Sequence, residues 1–160
     1  MKIEQLNKIS LDTARGLIGQ ADPAQLSPAG SRTALMYACT NPKADGVEIV
    51  RLLLSKGVNP TERDENAATA LMYAIGNHNV QNALQIIDIL CRAGADINAV
   101  DYKGDSALMR AVQPPCRDID VIKCLIAKGA DLSIVNHEGE TALSLATEAH
   151  YREAVNILKK

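Results

Sequence analysis

Apolar residues recur along the chain with a helical period, and the arrangement itself is repeated. Ile49, Leu52 and Leu53 stand at i, i+3 and i+4, the spacing of one helix face. A shorter apolar segment precedes them, in which Leu35 and Ala38 are three residues apart. A polar connection separates the two segments, and a polar turn leads into the next pair. The pattern predicts helix–loop–helix units joined by extended turns.

The repetition is visible in the letters of the sequence. TALMYA occurs at residues 33–38 and again at 69–74, within four segments that align as SRTALMYAC, AATALMYAI, GDSALMRAV and GETALSLAT. Their hydroxyl residues recur at intervals of 36, 37 and 35 residues, at Thr33, Thr69, Ser106 and Thr141. Such a period is typical of a solenoid, in which each unit buries its apolar faces only against its neighbours.

Signals for the ends of helices accompany each unit. The Thr or Ser residues are predicted to accept a hydrogen bond from free backbone N–H groups at the start of each first helix. Gly57, Gly94 and Gly129 follow the longer apolar segments. A glycine there suits the left-handed conformation that ends a helix.

These motifs resemble the ankyrin repeat. Its signature reads T-P-L-H-x-A-A, then V-x-L-L-L, G-A-D-x-N-A and D-x-x-G; this chain has TALMYA, EIVRLLLSKG and, at residues 92–108, RAGADINAVDYKGDSAL. The resemblance covers residues 27–160 and implies an all-α ankyrin-repeat solenoid of stacked helix–loop–helix units joined by extended β-turn or hairpin loops. The expected single domain, 1–160, divides into an N-terminal cap at 1–26 and repeats at 27–62, 63–99, 100–135 and 136–160, the last also serving as C-terminal cap.

The chain departs from the signature in two ways. Ala replaces the Pro, and the His becomes Met36, Met72, Met109 and Ser144. Because the family's His hydrogen-bonds neighbouring repeats and Met is expected to offer only apolar packing, the array should be softer. The first three repeats also exceed about 33 residues. We expect the excess between the two helices, in TNPKADG, GNHNVQN and QPPCRDI. In the cap, Ser10 is expected to begin the second of two short helices.

Composition restricts the possible functions. The net charge is −2, too weak a field to gather nucleic acid or an anionic membrane. No run of 18 apolar residues is present, and the first residues lack the apolar centre of a secretory signal, so we expect a cytoplasmic protein, with non-classical secretion left open.

No catalytic or metal-binding motif stands out. The sequence lacks G-x-S-x-G, a P-loop and H-E-x-x-H, and DYKGD at 101–105 lacks further calcium ligands. Among the four cysteines, Cys39, Cys91, Cys116 and Cys124, none forms C-x-x-C. Cys91 and Cys124 are expected to be buried apolar residues, and Cys116 to be exposed. We therefore expect no cofactor, no metal and no enzymatic activity.

The resemblance implies a protein–protein interaction module that binds a partner through a concave face. In this family the turns form fingers and the first helices form a palm. Tyr37, Tyr73, Arg110 and Leu145 occupy the variable palm positions. The predicted partner-binding residues are Arg32, Tyr37, Glu65, Asn66, Tyr73, Tyr102, Lys103, Asp105, Arg110, His137 and Glu138. Tyrosine and arginine anchor interfaces well because they bury large areas and keep a polar tip.

Alternatives remain open at this point. Tyr37 and Tyr73 could simply cover neighbouring helices, and the lengthened inter-helix loops form a second candidate surface. A regulatory subunit, or a secreted or injected effector acting on a partner enzyme or host protein, would share the same architecture. We expect a monomer with a protein partner and with no nucleic acid, membrane or small-molecule substrate.

Overall fold

Helices stacked in two layers make up the structure. The computed structural model describes residues 5–6, 8–21, 26 and 31–159. Its helices are α1 (Leu11–Gln20), α2 (Ala34–Cys39), α3 (Asp45–Ser55), α4 (Ala70–Ile75), α5 (Val80–Arg92), α6 (Ala107–Val112), α7 (Ile119–Ala127), α8 (Ala142–Glu148) and α9 (Arg152–Leu158). Helices α2, α4, α6 and α8 pack successively in one layer, and α1, α3, α5, α7 and α9 pack in the other. The predicted all-α repeat solenoid is confirmed.

The pairs α2–α3, α4–α5, α6–α7 and α8–α9 are called repeats 1 to 4. Each helix contacts its partner in the repeat and the corresponding helix of the next repeat. The alanines at the centres of the first helices have no exposed surface: Ala38, Ala74, Ala111 and Ala146. A methyl side chain there allows the neighbouring helix to approach closely, while the buried leucines Leu35, Leu71 and Leu108 fill the space between layers.

The predicted helix ends are found in the structure. Thr33, Ser106 and Thr141 accept hydrogen bonds from the backbone N–H three residues on. Thr69 also precedes its helix, but its buried hydroxyl oxygen has no hydrogen-bond partner among the described residues. The glycines after the second helices have positive φ, at 82° for Gly57 and 92° for both Gly94 and Gly129.

One expectation about the methionines is wrong. The Met36 sulfur accepts a hydrogen bond from the Thr33 N–H at 3.4 Å, so this side chain caps its own helix as well as packing in the core. Ser144 does the same more strongly in repeat 4, with 2.8 Å between its Oγ and the Thr141 nitrogen. The bond to sulfur is longer because sulfur has a larger radius than oxygen, and it is weaker because a thioether is a poor acceptor.

The inter-helix loops are shorter than the sequence suggested, because the second helices begin earlier. The loops comprise residues 40–44, 76–79, 113–118 and 149–151. The loop residues also bury more than expected: Cys116 is half-buried against the core instead of exposed. Conversely, Cys91 and Cys124 are only half-buried, since they lie at the edge of the core on α5 and α7.

Asparagine side chains tie the first two loops to their neighbours. Asn77 Nδ2 donates to the carbonyl oxygens of Cys39 and Asn41, at 2.9 and 3.0 Å. Asn41 Nδ2 donates in turn to the Leu6 carbonyl at 3.0 Å. The equivalent position of the third loop is Pro114, which has no donor.

The cap begins its second helix as predicted. Ser10 precedes α1 and its side chain accepts from the Thr13 N–H, while α1 packs on α3. Residues 3, 4 and 7 of the first cap segment and residues 22 and 23 of the QADP turn fall outside the described residues. Within the described ranges, none of the helices combines the length and apolarity needed to cross a bilayer.

Replacing Asn77 by Ala should lower the free energy of unfolding by about 1–3 kcal/mol, because two buried carbonyl groups lose their donor. Urea unfolding followed by circular dichroism measures this loss. Asn156→Ala is the matched control, since Asn156 is exposed on α9. Equal effects of the two substitutions would show that the loop-to-loop bonds contribute nothing particular.

Candidate functional site

Three turns between repeats share one design. They comprise residues 64–68, 101–105 and 136–140 and are called the first, second and third fingers. Each begins with a buried Asp or Asn, namely Asp64, Asp101 or Asn136. The Oδ1 atom of that residue accepts two backbone N–H groups of its own finger, at 2.8–3.0 Å. One side-chain oxygen therefore fixes the shape of each turn.

The fingers are also bonded side by side. The Tyr102 N–H donates to the Asn66 carbonyl at 3.0 Å, and the His137 N–H donates to the Lys103 carbonyl at 2.9 Å. Gly104, with φ of 82°, sits so close to the third finger that a Cβ there would lie 3.0 Å from backbone atoms of Asn136 and His137. The three fingers consequently form a continuous rim.

The first two fingers hold the palm side chains of their own repeats. Tyr73 donates its hydroxyl to Asp64 Oδ2 at 2.6 Å. Arg110 donates from Nη2 to Asp101 Oδ2 at 2.5 Å, with the carboxylate almost fully buried. In both cases the acid and the palm residue are nine positions apart. A carboxylate that shapes the finger thus also orients a palm side chain.

The electrostatics of these contacts keep each group in one protonation state. Burial, followed by the hydrogen bond to Asp64, raises the pKa of Tyr73 to about 12, so the phenol stays a neutral donor. Burial alone would raise the pKa of Asp101, but hydrogen bonds from Arg110 and from backbone N–H groups outweigh it and lower that pKa. Arg32 lies over the Tyr73 ring, 4.7 Å from its centroid.

A groove of about 470 Å³ lies between fingers and palm in repeats 2 and 3. Seven of the eleven residues predicted to contact a partner line it: Arg32, Asn66, Tyr73, Tyr102, Lys103, Asp105 and Arg110. The structure therefore brings side chains from both predicted surfaces, fingers and palm, into one concave site. Its lining combines the apolar side chains of Met72 and Ile75 with polar and charged groups of the fingers and palm.

The other four predicted residues lie outside this groove. Tyr37 is half-buried against the core on α2. Leu145, a palm position that is not among the eleven, also lies outside the groove and is buried. Glu65, His137 and Glu138 are exposed on the fingers without lining the groove. Tyr37 and Tyr73 both pack against the core, as the alternative that they cover neighbouring helices also requires.

One wall of the groove was not predicted from sequence. Gln113, Pro114, Pro115 and Cys116 of the third inter-helix loop form it. The lengthened inter-helix loops were predicted from the sequence only as a second candidate surface, separate from the fingers and the palm. The available signal was the Pro pair at 114–115, one residue after α6, because proline ends a short helix and fixes the path of the loop that follows it.

The described side chains do not suggest metal or thiol chemistry. No group of three or more His, Cys, Asp or Glu residues could hold a metal ion in the part of the chain that the structure describes. Burial raises the pKa of the Cys39 and Cys116 thiols, which disfavours the reactive thiolate.

The fold and groove define a helical repeat protein with a concave surface built of fingers and palm. The family model described as "Ankyrin repeats (3 copies)" matches residues 5–101 and 80–160. The chain belongs to the ankyrin repeat family. Ankyrin repeats are generally non-catalytic protein–protein interaction modules.

Individual relatives match part of the chain. "Putative ankyrin repeat protein L271" of Acanthamoeba polyphaga mimivirus is 33% identical over 90 residues, 56% of this chain and 12% of the relative. "Putative ankyrin repeat protein L92" of the same virus is 36% identical over 72 residues, 45% and 16%. "E3 ubiquitin-protein ligase KEG" of Arabidopsis thaliana is 33% identical over 91 residues, 57% and 5%. The aligned regions thus span less than a fifth of each of these relatives.

Substituting Gly104 by Ala should destabilise the protein by more than Gly94→Ala. Both residues have positive φ, which costs a non-glycine residue about 1–2 kcal/mol. Only at Gly104 would the new methyl group also press on the third finger. Chemical unfolding of both variants measures the difference. A smaller loss for Gly104→Ala than for Gly94→Ala would contradict close contact between the fingers.

Asp101→Asn should cost about 1.5 kcal/mol at neutral pH, because it removes the ion pair but keeps an oxygen for the finger N–H groups. Since the pKa of Asp101 is lowered on folding, its contribution is complete above the ordinary value of 3.8 and is lost as the pH falls through the folded value. The stability gap between wild type and Asp101→Asn should therefore close in acid.

Arg110→Gln provides the control for this pH series, since it removes the partner of Asp101 and leaves the carboxylate in place. Denaturant unfolding of both single variants and the double variant at each pH completes the cycle. If the substitutions are additive at neutral pH, Asp101 and Arg110 do not stabilise each other.

Proposed function

We propose that this chain is a non-catalytic interaction module that binds a partner protein through its concave face. The observation that carries the proposal is the groove in which finger and palm side chains of repeats 2 and 3 converge. We assign contact with the partner to the eleven predicted residues; Arg32, Tyr102 and Lys103 are the exposed ones among those that line the groove. The division into a cap and four repeats, a cytoplasmic location and a monomeric state are part of this proposal.

Preorganisation supports the assignment. Tyr73 and Arg110 are held by buried carboxylates, and the fingers are bonded to each other, so binding has little side-chain freedom to remove at these positions. Tyr102 is 58% exposed although its side chain is largely apolar. An aromatic residue held outward by a fixed backbone is a favourable anchor for a partner.

The related alternative is that the array serves a regulatory subunit or an effector acting on an enzyme or host protein. The match to a protein named an E3 ubiquitin-protein ligase supports this alternative, because it places a similar segment in a protein named as an enzyme. In that case the concave face would again make the contact, and the chemistry would belong to other parts of the assembly.

The experiment compares partners captured from the native cell by wild type and by Tyr102→Ala/Lys103→Ala. Neither side chain makes a hydrogen bond or ion pair among the described residues, so the helical signal should not change. We expect loss of a specific partner. The matched control is Gln85→Ala/Lys123→Ala, which removes two exposed side chains from α5 and α7 in the other layer. If the finger variant keeps every partner, the concave face is not the binding surface.

A further inference from the structure

The asparagine bonds between loops are confined to the first two loops of the described repeats, since Pro114 and Ala149 stand at the equivalent positions of the third and fourth loops. Asn41 and Asn77 bind the preceding loop or cap, whereas Pro114 cannot donate and leaves the second and third loops without this link. A cleft of about 120 Å³ lies between these two loops. Ile75, Val80 and Val121 give it apolar walls.

This cleft continues into the groove. The two cavities share four lining residues, Ile75, Gly76, Pro115 and Cys116. A single path therefore runs from the fingers, across the ends of α4 and α6, to the edge formed by the loops. The cleft has room for a side chain but not for a helix about 10–12 Å across. The shape fits an extended segment that inserts one side chain at the loop end.

The finger end of the path carries excess positive charge. Arg32, Lys103 and Arg110 line the groove together with two acids, Asp101 and Asp105, which leaves a net charge of +1 in a chain whose overall charge is −2. Neither Arg32 nor Lys103 has an acidic side chain within ion-pairing distance among the described residues.

The two acids of the groove are already engaged. Asp101 accepts from Arg110 and from two backbone N–H groups. Asp105 accepts from the Asn136 amide at 2.8 Å. Arg32 and Lys103 can therefore still pair with an anion, whereas Asp101 and Asp105 have fewer free oxygen lone pairs to accept from a cation.

We propose that the occupant of this path is an extended acidic segment of the partner protein. One or more of its Asp or Glu side chains pair with Arg32 and Lys103, and an aliphatic side chain enters the cleft between Ile75 and Val121. This inference rests on the proposed function and specifies the chemistry of the partner. It uses the complementary charge of the groove and the continuity of the two cavities.

The test selects binders from a library of short random peptides displayed on phage, using purified wild-type protein. We expect enriched sequences that carry Asp or Glu together with Leu, Ile or Val. One such peptide, made synthetically, should bind Lys103→Glu at least about tenfold more weakly than wild type. Lys123→Glu makes the same charge change on α7, outside both cavities, and should leave affinity within about twofold.

Gly76→Gln tests the continuity of the path separately. Gly76 lines both cavities with φ of −77°, and a Cβ there would meet no atom closer than 3.5 Å, so a longer side chain can block the path without strain. We expect it to weaken the peptide about tenfold as well. Gly19→Gln on α1, where a Cβ meets nothing within 4 Å, is the control.

The outcomes separate this inference from the proposed function. Selection of basic or neutral peptides, of no peptide at all, or of acidic peptides that ignore Lys103→Glu or Gly76→Gln would overturn the inference. If the cellular partner is still lost with the finger variant in any of these cases, the concave face remains the binding surface. If that partner is retained, the proposed function fails whatever the peptides show.

Discussion

The structure depends on stacking, because no single helix pair can bury both of its apolar faces. The four central alanines of the first helices are wholly buried, which places successive repeats in direct contact. Stability therefore comes from the interfaces between neighbours, and each repeat contacts only those beside it. The concave surface is a consequence of this stacking. The finger and palm residues of successive repeats lie side by side because the repeats that carry them are stacked.

Buried carboxylates couple that architecture to the candidate site. Asp64 and Asp101 each use one oxygen to shape a finger and the other to hold a palm side chain. Asn136 uses its oxygen in the same way, but its amide donates to Asp105 and Glu140. The third finger is therefore tied to the second finger, while the first two are tied to their palms. Substituting Tyr73 or Arg110 changes the scaffold as well as the surface, whereas Tyr102 and Lys103 report on the surface alone.

The sequence predicted the local features of the fold and missed those that depend on how neighbours meet. Period, helix caps and the left-handed glycines are determined by contiguous residues, and the structure has them where expected except for the cap hydrogen bond of Thr69. Cys116 is half-buried because the third loop packs against the core, where Cys116 lines a cleft together with Ile75 and Val121, and no spacing within one repeat reveals this. The bond from Thr33 to the Met36 sulfur was missed for another reason, because methionine was treated as purely apolar. The charged finger and palm residues were identifiable individually, but their sharing one groove was not.

In a repeat protein, the features common to all repeats serve stacking. Differences between repeats are therefore the more informative about binding. In the first two inter-helix loops, the side chains of Asn41 and Asn77 donate to carbonyl oxygens of the preceding cap or loop. The third loop has Pro114 at the equivalent position. Proline in place of asparagine removes a hydrogen bond between repeats 2 and 3, close to where the groove meets the cleft. The fourth loop has Ala149 at the equivalent position, so the bonds from asparagine to the preceding cap or loop are confined to the first two loops. Of the two loop positions without the asparagine, only Pro114 lines the groove, and there it belongs to the wall that the extended segment proposed to bind between repeats 2 and 3 would contact.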